Sequence, residues 1–216
     1  LCCAKRIVRM DHRMRTQSWA ASRSLMHDMG QVHHETLGLV GFGNIGRALA
    51  ARALVMGMRV LAHDPFVAAE CFEQAGVACV DLDSLARQSD YISLHVPASP
   101  QTRGLIDARF LALMKPSAYL INTSRGVVVN EPDLIDALQQ GRIAGAGLDV
   151  FATEPLPPDS PLLSMEQVVL TPHTASYADA TFQSLRRRVA RSALAVIRGG
   201  LPEFIANPGV VDRRRH

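Results

Sequence analysis

The sequence is poor in the features that mark several common classes of protein. Its four cysteines, Cys2, Cys3, Cys71 and Cys79, form no CxxC pair and fall at no zinc-ligand spacing with the histidines, which argues against a disulfide scaffold and for a reducing compartment. No apolar run approaches the roughly 18 residues that a membrane span needs, and the N-terminus lacks the charged-then-apolar order of a signal peptide. A cytoplasmic location without a membrane partner is therefore expected. Net charge is only +3, and no aromatic residues interleave with the basic runs 186–188 and 213–215. A solvated helix face and a frayed tail explain those runs better than nucleic-acid binding. His12, His27, His33, His34, His63 and His216 carry no spacing that suggests ligation, so no metal is assigned. Internal repeats and low-complexity tracts are missing as well.

What is present is a chain of 216 residues, 48% of them apolar, long enough for one sizeable core or two small ones. From Thr36 onward, short apolar runs alternate with helical patterns. Strands are expected at 36–41, 58–64, 77–80, 91–96, 118–124, 144–150 and 168–171. Helices are expected at 44–57, near 67–75, from Asp81 or Asp83, at 107–114, at 130–141 with Asn130 as cap and Gly141 as stop, and from Ala178 to Arg198. Nearly continuous apolar strands, each followed by a helix, predict a parallel sheet covered on both faces, hence a doubly wound α/β fold. The Pro-rich stretch "EPLPPDSP" (154–161) reads as an ordered connection.

Between the first strand and the first helix lies "GFGNIG", with Gly41, Gly43 and Gly46 in GxGxxG spacing. The first glycine permits a tight turn, the second lets the backbone approach a pyrophosphate, and the third lets helix and strand pack closely; the helix N-terminus adds free N–H groups and a positive dipole. Asp64 ends the second strand, where a carboxylate can accept hydrogen bonds from both hydroxyls of an adenosine ribose. A 2′-phosphate would meet that charge unfavourably, and Pro65 and Phe66 follow rather than an arginine. NAD is favoured over NADP.

Three further strand ends carry polar groups: Arg125 in "NTSRG", Asp149 with Glu154 in "LDVFATEP", and His173 in "TPH". In open α/β sheets ligands bind outside the carboxyl ends of the strands, so these groups and the glycine turn are expected on one edge. Together, "GFGNIG", "HVPASPQTRGLI", "INTSRGVVVNEPDLIDAL", "GAGLDVFATEPLP" and "VVLTPHTA" resemble the D-isomer-specific 2-hydroxyacid dehydrogenase family, over roughly Leu37 to Gly209. The resemblance implies a Rossmann NAD-binding domain and an oxidoreductase that interconverts a 2-oxo acid and a D-2-hydroxy acid. His173 then looks like the acid/base, since an imidazole titrates near working pH. Glu154 would orient its ring and raise its pKa, and Arg125 would bind the substrate carboxylate. The same resemblance implies that Asn44 and Ile45 line the pyrophosphate through their amides and that Val96 and Pro97 flank the adenosine. It places Thr123 and Ser124 beside the nicotinamide ribose, Asp149 on the nicotinamide amide, and Ser176 close by. His95 matches an HxP position of the family, but a buried, hydrogen-bonded strand-end histidine fits equally.

The chain opens on Leu1 and runs into "RIVRMDHRMRTQSW" (6–19), which resembles the family's interdomain segment that ends at a tryptophan, so an N-terminally truncated member is expected. The expected division is residues 1–33 as interdomain helix and remnant of a substrate domain, 34–177 as the NAD domain, and 178–216 as a helix and tail returning to the substrate domain. The resemblance also implies a homodimer. Two other readings stand beside the dehydrogenase: an NAD-sensing binding protein similar to the family's corepressors, and a truncated product with no function of its own.

Overall fold

A computed structural model describes residues 1–27, 29–207 and 209; the basic run 213–215 lies outside the described residues. The chain forms two compact units, the first Leu1–His173 and the second from Thr174 onward.

Among the described residues of the first unit the apolar runs become seven parallel strands: β1 (Thr36–Val40), β2 (Arg59–His63), β3 (Ala78–Cys79), β4 (Tyr91–Leu94), β5 (Tyr119–Asn122), β6 (Gly145–Leu148) and β7 (Val168–Leu170). Their order in the sheet is β3-β2-β1-β4-β5-β6-β7, so the winding reverses between β1 and β4. Register along that seam pairs Val40 with both His63 and Leu94, which leaves the chain after β1 and after β4 emerging side by side. This is the switch point at which doubly wound folds bind ligands. The doubly wound α/β class read from the sequence is the class observed.

Helices α3 (Asn44–Val55), α4 (Ala69–Gln74), α5 (Leu82–Gln88), α6 (Ala108–Leu113) and α7 (Glu131–Gln139) make the connections, preceded by α1 (Ile7–Thr16) and α2 (Trp19–Arg23). Each half of the sheet has its own apolar cluster. Leu39, Phe42, Ala50 and Phe72 close one, with the Phe42 and Phe72 rings stacked at 4.6 Å; Leu94, Phe110, Leu120, Leu134 and Leu148 anchor the other. Strands buried on both faces explain the lack of polar alternation in their sequences.

Local chemistry sets the helix starts. Asp81, rather than Asp83, opens α5 by accepting the Ser84 N–H at 2.8 Å, and Asp107 opens α6 by accepting that of Phe110 at 2.8 Å. Asn130 precedes α7 as expected, but its side chain accepts no capping hydrogen bond; Pro132 has removed one of the N–H groups that a cap would take. The N-terminal helical stretch breaks at Ser18, whose extended backbone turns its hydroxyl to the Ala21 N–H at 3.1 Å. Arg9 and Arg13 of α1 both reach Glu166 ahead of β7, at 3.0 and 2.7 Å. The Pro-rich connection is ordered, with a 3-10 turn at Pro161–Ser164 that buries Leu162 completely.

The second unit contains α8 (Asp179–Ile197). Arg186, Arg187 and Arg188 lie on its exposed surface, with the Arg188 guanidinium 4.6 Å from the Phe204 ring centre. Among the described residues no helix is long and apolar enough to cross a membrane.

Candidate active site

The glycine turn follows β1. Gly41 has φ +96°, and a Cβ there would stand 2.7 Å from the His95 carbonyl oxygen and 3.0 Å from a Val96 methyl, so the turn fits only an unsubstituted residue. At Gly46, in the first turn of α3, a Cβ would come within 2.4 Å of the Gly41 oxygen. Gly43 differs from both. Its backbone is extended, and a Cβ would meet nothing within 4 Å. Among the described residues nothing demands glycine there, whereas a pyrophosphate drawn against the backbone would. Asn44 and Ile45 begin α3 beside it, Ile45 with 70% of its surface exposed at the rim.

Asp64 follows β2. Its Oδ2 accepts the Phe42 N–H at 2.8 Å and its Oδ1 that of Phe66 at 3.0 Å, so the carboxylate is fixed against the glycine turn. Val96 and Pro97 leave β4 on the other side of the switch point. The residues around the switch point therefore fit a dinucleotide: a tight turn, an open glycine at a helix N-terminus, and an acid held where a ribose would lie.

The second group belongs to β5, β6 and β7. Thr123, Ser124 and Arg125 follow β5 in a turn tied by Asn122, which is 1% exposed. The Asn122 Oδ1 accepts from Ser124 N and Oγ at 3.0 and 2.9 Å, and its Nδ2 donates to the Arg125 carbonyl at 3.0 Å. The exposed Arg125 donates one N–H to the Ser124 carbonyl at 2.6 Å. Asp149, buried at the end of β6, accepts the Thr171 hydroxyl at 2.6 Å.

His173 stands past β7 with φ +55°, an uncommon backbone for a residue bearing a side chain. Its N–H donates to the Asp149 carbonyl at 2.8 Å, which helps hold that strained geometry, of a kind that concentrates at functional sites. The Nδ1 of the ring lies 2.7 Å from Glu154 Oε2, and Glu154 Oε1 accepts the Phe151 N–H at 3.0 Å. The His173 bond, then the Phe151 N–H, hold the Glu154 carboxyl below the ordinary carboxylate range. An ionised Glu154 takes the Nδ1 hydrogen and leaves Nε2 of His173 for another partner. Arg125 and His173 follow strands separated by β6, so their backbones emerge about 10 Å apart on one edge. Ser176 lies in the second unit.

His95 is half-buried, with Nε2 3.0 Å from the Ser93 hydroxyl, and burial pushes its pKa down to about 4. Of the two roles open to it, this geometry favours the satisfied strand-end residue. Among the described residues no three His, Cys, Asp or Glu side chains gather as a metal site requires. Asn122, Thr171 and Glu131, which accepts the Ala152 N–H at 2.9 Å, are site-shaping groups that motif spacing did not single out. Asn122 left one trace, a polar residue closing an apolar strand.

Residues 1–175 match the family model described as D-isomer specific 2-hydroxyacid dehydrogenase, NAD binding domain. A glyoxylate reductase of Korarchaeum cryptofilum is 43% identical over 215 residues, covering 99% of this chain and 65% of that protein. A D-3-phosphoglycerate dehydrogenase of Mycobacterium leprae is 37% identical over 212 residues, covering 98% and 39%. The crystal structure of a D-lactate dehydrogenase with NAD+ from Lactobacillus jensenii superposes with a TM-score of 0.83 at 28% identity, over 95% of this chain and 65% of that one. The chain thus spans about two thirds, or less, of the length of these relatives. With the glycine turn, Asp64 and the strand-end groups on one edge, and with that match across most of its length, the chain belongs to the D-isomer specific 2-hydroxyacid dehydrogenase family and carries its NAD-binding domain.

Proposed function

We propose that the protein is an NAD-dependent oxidoreductase that interconverts a small 2-oxo acid and the corresponding D-2-hydroxy acid. The observation that carries this reading is the His173–Glu154 pair at 2.7 Å, on the same sheet edge as Arg125 and the glycine turn. In it, Gly41, Gly43, Asn44, Ile45 and Gly46 cradle the pyrophosphate, and Asp64 takes the ribose hydroxyls. Val96 and Pro97 flank the adenosine, Thr123 and Ser124 meet the nicotinamide ribose, and Asp149 holds the nicotinamide amide. NADH, when bound, supplies the hydride for the keto carbon. Arg125 grips the substrate carboxylate by two N–H groups and polarises the adjacent carbonyl. His173, protonated on Nε2 and held through Nδ1 by Glu154, gives its proton to the keto oxygen; the neutral ring takes it back from the alcohol.

The relatives' names span glyoxylate, phosphoglycerate and lactate, so the substrate is proposed only as a small 2-oxo acid. The same reading includes a homodimer, a cytoplasmic location consistent with four free cysteines, and the division at residues 33/34 and 177/178. The test is NADH oxidation with glyoxylate and hydroxypyruvate by a form extended to the relatives' full length. His173→Gln is expected to lower kcat by about 10²–10⁴-fold while NADH still binds. Undiminished turnover in that variant would remove His173 from the mechanism. NADH binding with no turnover by the extended wild type would favour the NAD-sensing reading.

A further inference from the structure

The peptide joining Phe151 to Ala152 is gripped by the segment that follows Arg125. From one side Gly126 packs so tightly that a Cβ would stand 1.8 Å from the Phe151 carbonyl oxygen and 2.7 Å from Ala152 N. From α7, Glu131 Oε2 accepts the Ala152 N–H at 2.9 Å. The preceding N–H, that of Phe151, goes to Glu154 Oε1 at 3.0 Å, and the other Glu154 oxygen meets His173 Nδ1 at 2.7 Å. Two consecutive amides are therefore divided between two carboxylates, one contributed by α7 and one by the loop itself. An acid at the first position of a helix commonly only complements the dipole, but this one reaches out of its helix to another loop.

We propose that Glu131 is a positioning residue: by holding the Ala152 amide it fixes the turn that presents Glu154 to His173, and with Gly126 it locks that turn to the one bearing Arg125. The role rests on reading His173 and Glu154 as the acid/base pair, and it gives that pair a fixed relation to the carboxylate-binding arginine. Two strand-end loops, after β5 and after β6, then move as one body. A charge-assisted bond from a carboxylate to a backbone N–H suits this task, being stronger than a neutral one.

The test needs neither substrate nor turnover. Amide hydrogen exchange and a 13C titration of the glutamate carboxyls are followed in the chain itself, with Glu154→Gln to assign the resonance. Glu131→Ala removes the acceptor. Glu131→Asp keeps the charge at the helix start but shortens the reach, and decides the matter if the alanine variant does not fold. Glu131→Gln keeps an acceptor in place. In the alanine and aspartate variants the Phe151 amide, which Glu131 does not touch, should exchange about tenfold faster or more. The Glu154 midpoint should move up toward the ordinary carboxylate value as its two hydrogen bonds loosen. Glu131→Gln should restore both. Wild-type protection of Phe151 and an unmoved Glu154 midpoint in the alanine and aspartate variants would overturn the proposal. Because neither readout involves turnover, the clamp can fail while the acid/base assignment stands, and the reverse.

Discussion

Around β1 and β4 the sheet edge is shaped by side chains that are missing, whereas around β5, β6 and β7 it is shaped largely by side-chain acceptors that take backbone N–H groups. Gly41 and Gly46 let the turn after β1 close on His95 and on itself, and Asp64 is, among the described residues, the carboxylate that ties it down. On the other half, Asn122, Glu131 and Glu154 collect the N–H groups of Ser124, Ala152 and Phe151. Under the proposed function, the division follows from what each half would meet. A pyrophosphate is recognised by bare backbone N–H groups, so side chains must stay away. A carbonyl that gains a proton and a carboxylate that needs two N–H groups are served by side chains, and those must be held from behind. Errors should therefore enter the first half chiefly by adding atoms and the second chiefly by removing acceptors, with Gly126, packed against the Phe151–Ala152 peptide, as the exception.

Asn122→Ala presses hardest on that contrast. It deletes a fully buried amide that serves three groups of the Arg125 turn, and leaves the Ser124 N–H and the Arg125 carbonyl without it. A loss of about 3 kcal/mol in folding stability is expected, measurable as a fall in the urea midpoint. If the midpoint holds, the acceptors of this half are decoration and the contrast fails.

Gly46→Ala is the counterpart on the first half. Its methyl would stand 2.4 Å from the Gly41 carbonyl oxygen, a backbone atom that cannot swing aside as a flexible side chain can. Overpacking of this kind costs about 2 kcal/mol, again read from urea unfolding. A variant as stable as wild type would show that α3 rides freely over the turn, and the steric account of the glycine spacing would have to go.

A pH experiment sharpens the boundary between the halves, since His95 sits on it. Burial lowers its pKa to about 4 in the folded chain, against an ordinary value near 6.5. Above about pH 6.5 the ring is neutral folded or unfolded, and its effect on stability does not change. As pH falls from there toward 4, the unfolded chain takes up a proton that the folded chain refuses, so stability drops, by at most about 1.4 kcal/mol per pH unit for this one site. The comparison is the stability slope of wild type and of His95→Gln over pH 6.5 to 5. A shallower slope in the variant is expected; parallel slopes would mean that His95 is solvated and not a buried part of the seam.

The same contrast explains what could be read from the sequence. Glycine spacing is legible because a missing Cβ is a property of the residue itself, and the apolar runs are legible because strands covered on both faces need them. Asp64, Arg125, Asp149, Glu154 and His173 were legible as strand-end groups in motif order. Glu131 was not, because its role depends on which backbone amide lies opposite in space: Ala152 is 21 residues from its acceptor. Asn122 was not either, although its partners Ser124 and Arg125 are only two and three residues on, because a polar residue closing a strand does not by itself show that it ties the turn behind it. Asn130 shows the reverse error. A good capping residue stood at a helix start, but a proline two positions on had already dispensed with one donor.

Gly43→Ala carries the smallest expected effect on the fold and tests the first half most directly. The backbone there is extended with φ −75°, which alanine adopts without strain, and the added Cβ meets no atom of the described residues within 4 Å. Stability should change by no more than about 0.5–1 kcal/mol, the modest cost of alanine at a helix N-cap. NADH affinity should fall about tenfold or more in a fluorescence titration, because the methyl would occupy the space through which a pyrophosphate reaches the α3 amides. Loss of binding without loss of stability would mean that Gly43 is a glycine for the ligand's sake, unlike Gly41 and Gly46, which the chain requires for itself. If stability falls instead and affinity holds, the space at Gly43 is used by the protein, and the pyrophosphate must be placed elsewhere along the edge.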